Sequence, residues 1–295
     1  MQGISFKNFE NQTIYPEIRK SRSNIQKQDL QDRRNPNAKE HNEMLNILYE
    51  DEAILVVWKP VGMESQSARG FQADMVSEIR RYLSTKNRED NHNLSTKSTE
   101  PYVGVIHRLD KPVSGVMVYA KEKKAAAALS KQVSEGKMHK KYLTVLCGKP
   151  VDNVEKYVDY LLKDEKENVS RIVDMGIKGG KRAELICRAL ETKEIPPYGQ
   201  LTLAEIELLT GRHHQIRVQM SGHGMPIWGD NRYNPEFSQR QPAEPGTRIP
   251  RRAPRTDVAL AAFELTFTHP VTGKQLTFRQ NPSGGIFRQF GAFPS

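Results

Sequence analysis

The chain has 295 residues, of which 37% are hydrophobic, enough to bury the core of one large domain or two smaller ones. Its 45 Lys and Arg exceed its 35 Asp and Glu, and the resulting net charge of +10 attracts polyanions such as nucleic acid or anionic membrane. No apolar run approaches the roughly 20 residues that cross a bilayer, which excludes a predicted membrane span.

Residues 1–44 are polar, rich in Asn, Gln, Arg and Lys, and show little periodic hydrophobicity. A segment of this composition buries too little apolar surface to offset the entropy of ordering it, so we predict a flexible N-terminal arm. A basic arm either contacts a polyanionic partner or takes no part in binding, and the sequence leaves both open.

Ordered structure is predicted from about residue 48 onward. Residues 54–58 are apolar and β-branched, which indicates a buried strand, whereas residues 73–83 follow a helical spacing. Residues 85–99 are rich in Asn, Ser, Thr and Lys and predict a surface loop. Further strands are predicted at residues 116–120, 142–146, 183–190, 201–208 and 276–279, and helices at 122–136 and, briefly, 215–221. Strands and a few helices without a regular βαβ alternation indicate an α+β fold.

A segment rich in Pro and Arg occupies residues 235–255. Its arginines are Arg240, Arg248, Arg251, Arg252 and Arg255. Loops of this length inside a domain are usually functional or disordered. The composition suits a flap that contacts phosphates, and a solvated insertion is the alternative.

The two cysteines, Cys147 and Cys187, lie in apolar, strand-like segments and form neither a disulfide framework nor a zinc-ligand spacing. Reduced thiols in a core are typical of a cytoplasmic protein. The first residues lack the basic and apolar regions of a secretory signal. We therefore predict a cytoplasmic protein.

The segment His107-Arg108-Leu109-Asp110 places a carboxylate between an apolar run and a Ser-Gly turn. A carboxylate that leaves a buried strand beside a turn is placed to project into a cleft, and a nearby arginine favours its ionised form. Such a group can act as a nucleophile or a base. An Asp-Arg pair at a strand end is also common as a structural ion pair, so these residues alone leave both interpretations open.

A second cluster runs from Thr210 to Arg217 and contains two adjacent histidines, His213 and His214. Adjacent side chains face different directions in a helix or a strand, and neither Cys nor carboxylate lies nearby at ligand spacing, so we predict no metal site. Arg212 and Arg217 beside glycine suit charge pairing or phosphate contact.

The segment at residues 107–115, His-Arg-Leu-Asp-Lys-Pro-Val-Ser-Gly, resembles the signature of the RluA-type pseudouridine synthases. Four further segments resemble motifs of that family in the family's order, and together they span roughly residues 48–285. They are Val-Trp-Lys-Pro-Val-Gly-Met at 57–63, Lys-Lys-Tyr-Leu at 140–143, the cluster at 210–233, and Leu-Ala-Ala-Phe-Glu-Leu at 260–265 with His-Pro at 269–270. Five ordered matches make coincidence a poor explanation.

The resemblance implies a pseudouridine synthase fold. This is an α+β fold with a mixed, largely antiparallel central sheet in two halves, flanked by helices and loops and holding an active-site cleft. It places one catalytic domain at residues 45–295, and the family's accessory S4 module is not visible. The implied activity is isomerisation of specific uridines in structured ribosomal or transfer RNA to pseudouridine.

The same resemblance implies roles for individual residues. Asp110 matches the catalytic aspartate, Tyr142 the tyrosine that stacks on uracil, and Arg217 the basic residue that pairs with the aspartate. Arg108 matches an arginine linked to base flipping and to filling the vacated space. Removing Arg217 is expected to leave Asp110 as an unpaired buried carboxylate, at a cost of about 3–5 kcal/mol. Further RNA contacts are expected from three basic residues, His107, Lys140 and Arg212.

The isomerisation detaches uracil, rotates it and rejoins it through carbon, so no cofactor and no metal are expected. RNA is the expected partner, with no membrane and no obligatory protein partner, and we expect a monomer. Two positions depart from the family pattern. Val113 stands where Thr is usual, and Trp58 stands where Asn is usual. Neither is a position with an implied catalytic role.

Two alternative functions remain. A catalytically inactive RNA-binding protein could keep the synthase fold, although Asp110, Tyr142 and Arg217 are all present. A phosphotransferase or hydrolase that uses Asp110 as its nucleophile would need a phosphate-binding loop or magnesium carboxylates, and the Gly-Gly-Lys at 179–181 is too slight for such a loop.

Overall fold

The computed structural model describes residues 45–67, 73–90, 100–234 and 257–294. The predicted arm at 1–44, the Pro- and Arg-rich segment at 235–255 and residues 91–99 of the predicted loop lie outside these ranges.

A single mixed sheet contains the strands of the described residues. The strands are β1 (Asn46–Glu50), β2 (Ile54–Lys59), β3 (Gly104–Val105), β4 (Ser114–Ala120), β5 (His139–Cys147), β6 (Val154–Asp164), β7 (Val169–Val173), β8 (Lys181–Ile195), β9 (Gly199–Leu208), β10 (Leu260–Thr268) and β11 (Gln275–Arg279). Their order is β1-β2-β4-β10-β5-β9-β8-β6-β7, with β11 beside β10 and β3 beside β4.

Three α-helices and one 3₁₀-helix accompany the sheet in the described ranges. They are α1 (Met75–Asp90), α2 (Lys123–Ser134), α3 (Gln215–Gly222) and the 3₁₀-helix Gly285–Gln289. Among these residues, none of the helices combines the length and apolarity that a membrane crossing requires.

The two halves of the sheet meet at β10. This strand pairs antiparallel with β5 and parallel with β4, where Ala261 and Ala262 face Ser114 and Gly115. The approach is so close that a Cβ added at Gly115 would lie 2.5 Å from the backbone nitrogen and oxygen of Ala262, and the φ of Gly115 is +143°. Glycine is therefore required at the joint, because another residue would be both strained and obstructed.

The sheet is buried on both faces in its first half. Met117 and Tyr119 of β4 belong to one apolar cluster, and Val116 and Val118 belong to another on the opposite face. The first cluster includes Met75, Ile79 and Leu83 of α1, and the second includes Ala125 and Leu129 of α2. Burial on both faces explains why β4 is a continuous apolar run instead of an alternating one.

The α+β prediction is confirmed, as is the mixed, largely antiparallel sheet, in which the β4–β10 pair is parallel. The surface loop predicted at 85–99 is wrong over residues 85–90, because α1 continues to Asp90. Apolar spacing marks only the buried turns of this helix, and its last turns consist of polar residues with adequate helix propensity. The β6–β7 hairpin was not predicted, since only two of the 11 residues of β6 are buried and its apolar residues do not alternate regularly with polar ones.

Candidate active site

Asp110 lies in a tight turn ahead of β4, where the Val113 N–H donates to the Asp110 carbonyl at 3.0 Å. The prediction that Asp110 leaves a buried strand directly is wrong, because β3 ends at Val105. The side chain of Asp110 is 32% exposed, so the carboxylate can be reached from solvent.

The backbone on both sides of Asp110 is held by the segment that follows β2. Ser65 Oγ accepts from Leu109 N at 3.0 Å and donates to the Leu109 carbonyl at 2.9 Å. Gly62 N donates to the Lys111 carbonyl at 2.9 Å. These contacts fix the peptides before and after Asp110, and the carboxylate is therefore presented from a rigid turn.

Lys59 adds a buried cation beneath the same turn. Its side chain is fully buried, and Nζ donates to the carbonyls of Pro60, Met63 and Lys111 at 3.0, 2.7 and 3.3 Å. Burial lowers the pKa of Lys59 to about 8, while the charges of Asp110 and Glu64 act in the opposite direction. Lys59 lies in a family motif, but no role was predicted for it. In the structure, its hydrogen bonds stabilise the turn that holds Asp110.

Arg217 links two carboxylates. It lies in the first turn of α3 and is buried, with Nη1 at 3.3 Å from Asp110 Oδ2. Its Nε and Nη2 make a two-point contact with Asp230 Oδ2 and Oδ1 at 2.7 and 2.8 Å. Burial acts to lower the pKa of Arg217, but the hydrogen bonds and charge of Asp230, together with the charge of Asp110, raise it. The structure thus brings Arg217 to Asp110 as expected.

The expectation that Asp110 is the buried partner of Arg217 is wrong. Asp230 is the fully buried carboxylate, whereas Asp110 is partly exposed. Asp230 Oδ1 also accepts from the backbone N–H groups of Arg232 and Tyr233 at 3.1 and 3.2 Å. Asp230 therefore holds Arg217 in place, and Asp110 accepts from the remaining nitrogen of the guanidinium, Nη1.

Two residues to which the sequence assigned no role lie next to Asp110: His214 contacts it, and Tyr233 contacts His214. His214 Nε2 lies 3.5 Å from Asp110 Oδ2, and His214 Nδ1 lies 2.7 Å from the hydroxyl of Tyr233. Both residues fall inside the family motif at 210–233, which was the available signal. Burial is the main cause that lowers the pKa of His214 to about 4, so the imidazole is neutral at pH 7.

Tyr142 is buried on β5, in the half of the sheet beyond β10. Burial raises the pKa of its phenol, and the nearby charge of Asp110 raises it further. The phenol is thus neutral and close enough to Asp110 to respond to its charge.

The predicted RNA-contacting residues differ in their exposure to solvent. Arg108 and Arg212 are exposed, and Arg212 Nε donates to the Arg182 carbonyl at 2.8 Å. Burial lowers the pKa of Lys140 to about 8.

His107 lies apart from this group and is buried. Its Nε2 accepts from Val118 N at 3.4 Å, and burial lowers the pKa of its imidazole well below 6.5. This neutral ring supports β4 and is buried, so contact with RNA is no longer expected of it.

The arrangement joins a reachable carboxylate to a buried guanidinium, a neutral imidazole and a neutral phenol. Such a carboxylate can serve as a nucleophile or a base. Within the described ranges, no group of three or more His, Cys, Asp or Glu is arranged to hold a metal ion.

Comparison with known proteins relates this geometry to one family. A family model described as RNA pseudouridylate synthase matches residues 53–222. Ribosomal large subunit pseudouridine synthase C of Escherichia coli (strain K12) is 31% identical over 242 residues, which cover 82% of this chain and 68% of that protein. Ribosomal large subunit pseudouridine synthase D of Zymomonas mobilis is 31% identical over 243 residues, which cover 81% and 70%.

Two solved human structures share the fold. Human RNA Pseudouridylate Synthase Domain Containing 1 aligns with a TM-score of 0.59 and 21% identity over 81% of this chain and 83% of its own. Human RNA Pseudouridylate Synthase Domain Containing 4 aligns with a TM-score of 0.59 and 19% identity over 83% and 90%.

Proposed function

Since the chain belongs to the RNA pseudouridylate synthase family and is an isomerase that converts uridine to pseudouridine in RNA, we propose that Asp110 is its catalytic carboxylate and that its substrate is large-subunit ribosomal RNA. The observation that carries the assignment is the contact of Asp110 Oδ2 with Arg217 Nη1 at 3.3 Å, made by a carboxylate that is 32% exposed. The substrate is proposed from the relatives, whose names specify the large ribosomal subunit.

The target uridine must leave its stack before the chemistry, at a cost of a few kcal/mol. Arg108 is exposed two residues before Asp110, where a planar cation can enter the space that the base leaves. Tyr142 provides an aromatic face for the extruded uracil. Lys140 and Arg212 are proposed to contact RNA phosphates.

The reaction breaks the bond from uracil nitrogen to the ribose C1′, rotates the detached base, and forms a bond from uracil C5 to C1′. C5 then loses its proton and the freed N1 gains one, so the product is an isomer of uridine. Asp110 acts either by attacking the sugar or by removing a ribose proton. In both cases Arg217 and His214 hold Oδ2, and Oδ1, which has no hydrogen-bond partner among the described residues, is left for the substrate.

We propose further that the protein is a cytoplasmic monomer. It needs no cofactor, because the isomerisation involves no redox change and no group donor. Activity is expected to survive EDTA, and gel filtration is expected to give the mass of one chain, 33.6 kDa. Loss of activity in EDTA would contradict the cofactor-free mechanism.

The test uses the purified full chain with large-subunit ribosomal RNA and, separately, with transfer RNA. The wild type is expected to form pseudouridine in the ribosomal RNA, and Asp110→Asn to form none while its RNA Kd stays within about threefold. Asp152→Asn, an exposed aspartate outside the site, is the matched control and should behave as the wild type.

Three outcomes would overturn parts of this proposal. Activity on transfer RNA alone would remove the ribosomal substrate. Full activity of Asp110→Asn would remove the catalytic assignment. A wild type that binds RNA but modifies none would favour an inactive RNA-binding protein.

A further inference from the structure

A chain of polar contacts, one at ion-pair distance and two hydrogen bonds, connects Asp110 to the β6–β7 hairpin. From Asp110 Oδ2 it runs to His214 Nε2 at 3.5 Å, and from His214 Nδ1 to the Tyr233 hydroxyl at 2.7 Å. The Tyr233 oxygen then accepts from Ser170 N, in β7, at 2.9 Å. The hairpin that the sequence did not predict is therefore in contact with the candidate catalytic carboxylate through two side chains.

The contacts at both ends of His214 select one tautomer. Ser170 N donates to the Tyr233 oxygen, so the hydroxyl proton of Tyr233 is available for His214 Nδ1. A ring that accepts at Nδ1 carries its proton on Nε2. The opposite tautomer would point the lone pair of Nε2 at the Asp110 carboxylate and leave the Tyr233 hydroxyl proton without this acceptor.

The surroundings also keep the ring neutral and fixed. Burial lowers the pKa of His214, as do the charges of Arg217, His213 and Arg232, while Asp110 acts in the opposite direction. The His213 ring stacks on His214 with centroids 3.7 Å apart, and its Nδ1 lies 2.9 Å from Ser170 Oγ.

The backbone of His214 is held in an unusual conformation. Its φ is +54°, in the left-handed region that non-glycine residues rarely adopt. His214 stands at the N-terminus of α3, yet its side chain makes no capping hydrogen bond to the helix. The ring is instead directed at Asp110 and Tyr233, and strained residues of this kind are concentrated at functional sites.

From these contacts we propose that His214 is a positioning residue for Asp110, with Tyr233 holding the imidazole in the tautomer whose Nε2–H points at Asp110 Oδ2. The proposal rests on Asp110 being the catalytic carboxylate. Arg217 and His214 both contact Oδ2, at 3.3 and 3.5 Å, so together they set the orientation of the carboxylate. Long contacts of this kind commonly shorten when substrate binds.

The first measurement needs no activity. Nitrogen-15 NMR of the histidine side chains in the free full-length protein, assigned with His214→Gln, is expected to show the Nε2–H tautomer for His214 at pH 7. In Tyr233→Phe, which keeps the ring and removes the hydroxyl, the two tautomers should be mixed. An Nδ1–H tautomer in the wild type would overturn the proposal, whatever the protein does to RNA.

The second measurement is single-turnover pseudouridine formation. His214→Phe fills the space without a donor and is expected to lose up to about 100-fold in rate, since misplacing a reacting group by about 1 Å costs on this order. His214→Gln places an N–H donor near the position of Nε2 and should stay within about fivefold of the wild type. Both variants should bind RNA with a Kd within about threefold, so the loss falls on the rate of reaction of the bound RNA.

His139→Gln, an exposed histidine outside the site, is the matched control and should keep the wild-type rate. Equal rates for His214→Phe and the wild type would overturn the positioning role, as would equal losses in His214→Phe and His214→Gln. If the wild type modifies no RNA, the proposed function fails, and the tautomer measurement still decides whether Tyr233 directs His214.

Discussion

At the residue scale, the site is organised by two carboxylates that share one guanidinium. Asp230 is fully buried and takes two donors of Arg217, whereas Asp110 is partly exposed and takes one. The two acids therefore have different tasks. The buried acid compensates the cation inside the protein, and the exposed acid remains free to meet a substrate.

Asp230→Asn should destabilise the fold strongly. The change removes the charge that compensates buried Arg217, and breaking one partner of a buried pair costs about 3–5 kcal/mol. Denaturant unfolding at pH 7 measures the loss. Glu165→Gln breaks an exposed pair with Lys163 and should change the unfolding free energy by less than about 1 kcal/mol. Similar losses in both variants would contradict the assignment of the buried charge to Asp230.

Acid should destabilise the protein partly through His214. Its pKa in the folded state is about 4, below the value of about 6.5 in an unfolded chain. Between pH 6.5 and 4 the unfolded chain binds a proton that the folded protein does not, so stability is complete above pH 6.5 and falls as the pH drops. The groups that face the ring are Asp110, Arg217, His213, Arg232 and Tyr233.

Unfolding free energies at pH 7.5, 6 and 5 test this dependence. The wild type should lose up to about 1.4 kcal/mol more per pH unit than His214→Gln over the lower part of this range. Parallel pH profiles for the two proteins would show that His214 does not titrate as described.

At the element scale, the parallel pair of β4 and β10 determines where the site can form. Asp110 lies in the turn just before β4, and the paired segment Ser114–Gly115 joins the two halves of the sheet. Tyr142 lies on β5, the next strand beyond β10. The joint therefore sets the position of the turn that holds Asp110 relative to the second half of the sheet, which contributes the Tyr142 phenol.

Gly115→Ala should disrupt this joint. The added methyl would lie 2.5 Å from the Ala262 backbone, and a φ of +143° disfavours any side chain, so a loss of at least about 3 kcal/mol is expected. Gly284→Ala is the matched control because its added methyl would meet nothing within 4 Å, and its stability should change by less than about 0.5 kcal/mol. Thermal and denaturant unfolding of both variants measure the difference, and a stable Gly115→Ala would refute the close approach.

At the scale of the whole molecule, the net charge of +10 supports binding to a polyanion such as RNA. Arg108 and Arg212 are exposed on the described surface. The predicted arm at 1–44 and the segment at 235–255 would add further cations. Affinity for RNA is therefore expected to depend on many phosphate contacts, with catalysis depending on a few central residues.

RNA affinity should weaken steeply with salt. With about six phosphate contacts, raising the salt from 50 to 200 mM should weaken binding by about 10³-fold. Arg212→Gln should reduce the slope of log K against log salt by about one, and Glu165→Gln should leave it unchanged. Fluorescence anisotropy at several salt concentrations gives the slopes, and a salt-independent Kd would contradict an electrostatic interface.

The sequence by itself determined the fold class, the family and most strands. Strands β2 and β4 are marked by short apolar runs and β9 by apolar residues that alternate with polar ones, and the motif that contains Asp110 is contiguous. These are local properties of the chain. The end of α1 and the β6–β7 hairpin were missed because their sequences show no regular apolar periodicity.

Only the tertiary structure decided which groups meet at the site. Asp110 and Arg217 are 107 residues apart in the sequence. Asp230, and not Asp110 as expected, is the buried partner of Arg217, and this depends on how α3 packs. The tautomer of His214 likewise depends on Tyr233 and on the Ser170 backbone of a distant hairpin. Burial and hydrogen-bond partners are set when segments remote in the sequence pack together, and local sequence patterns do not contain that information.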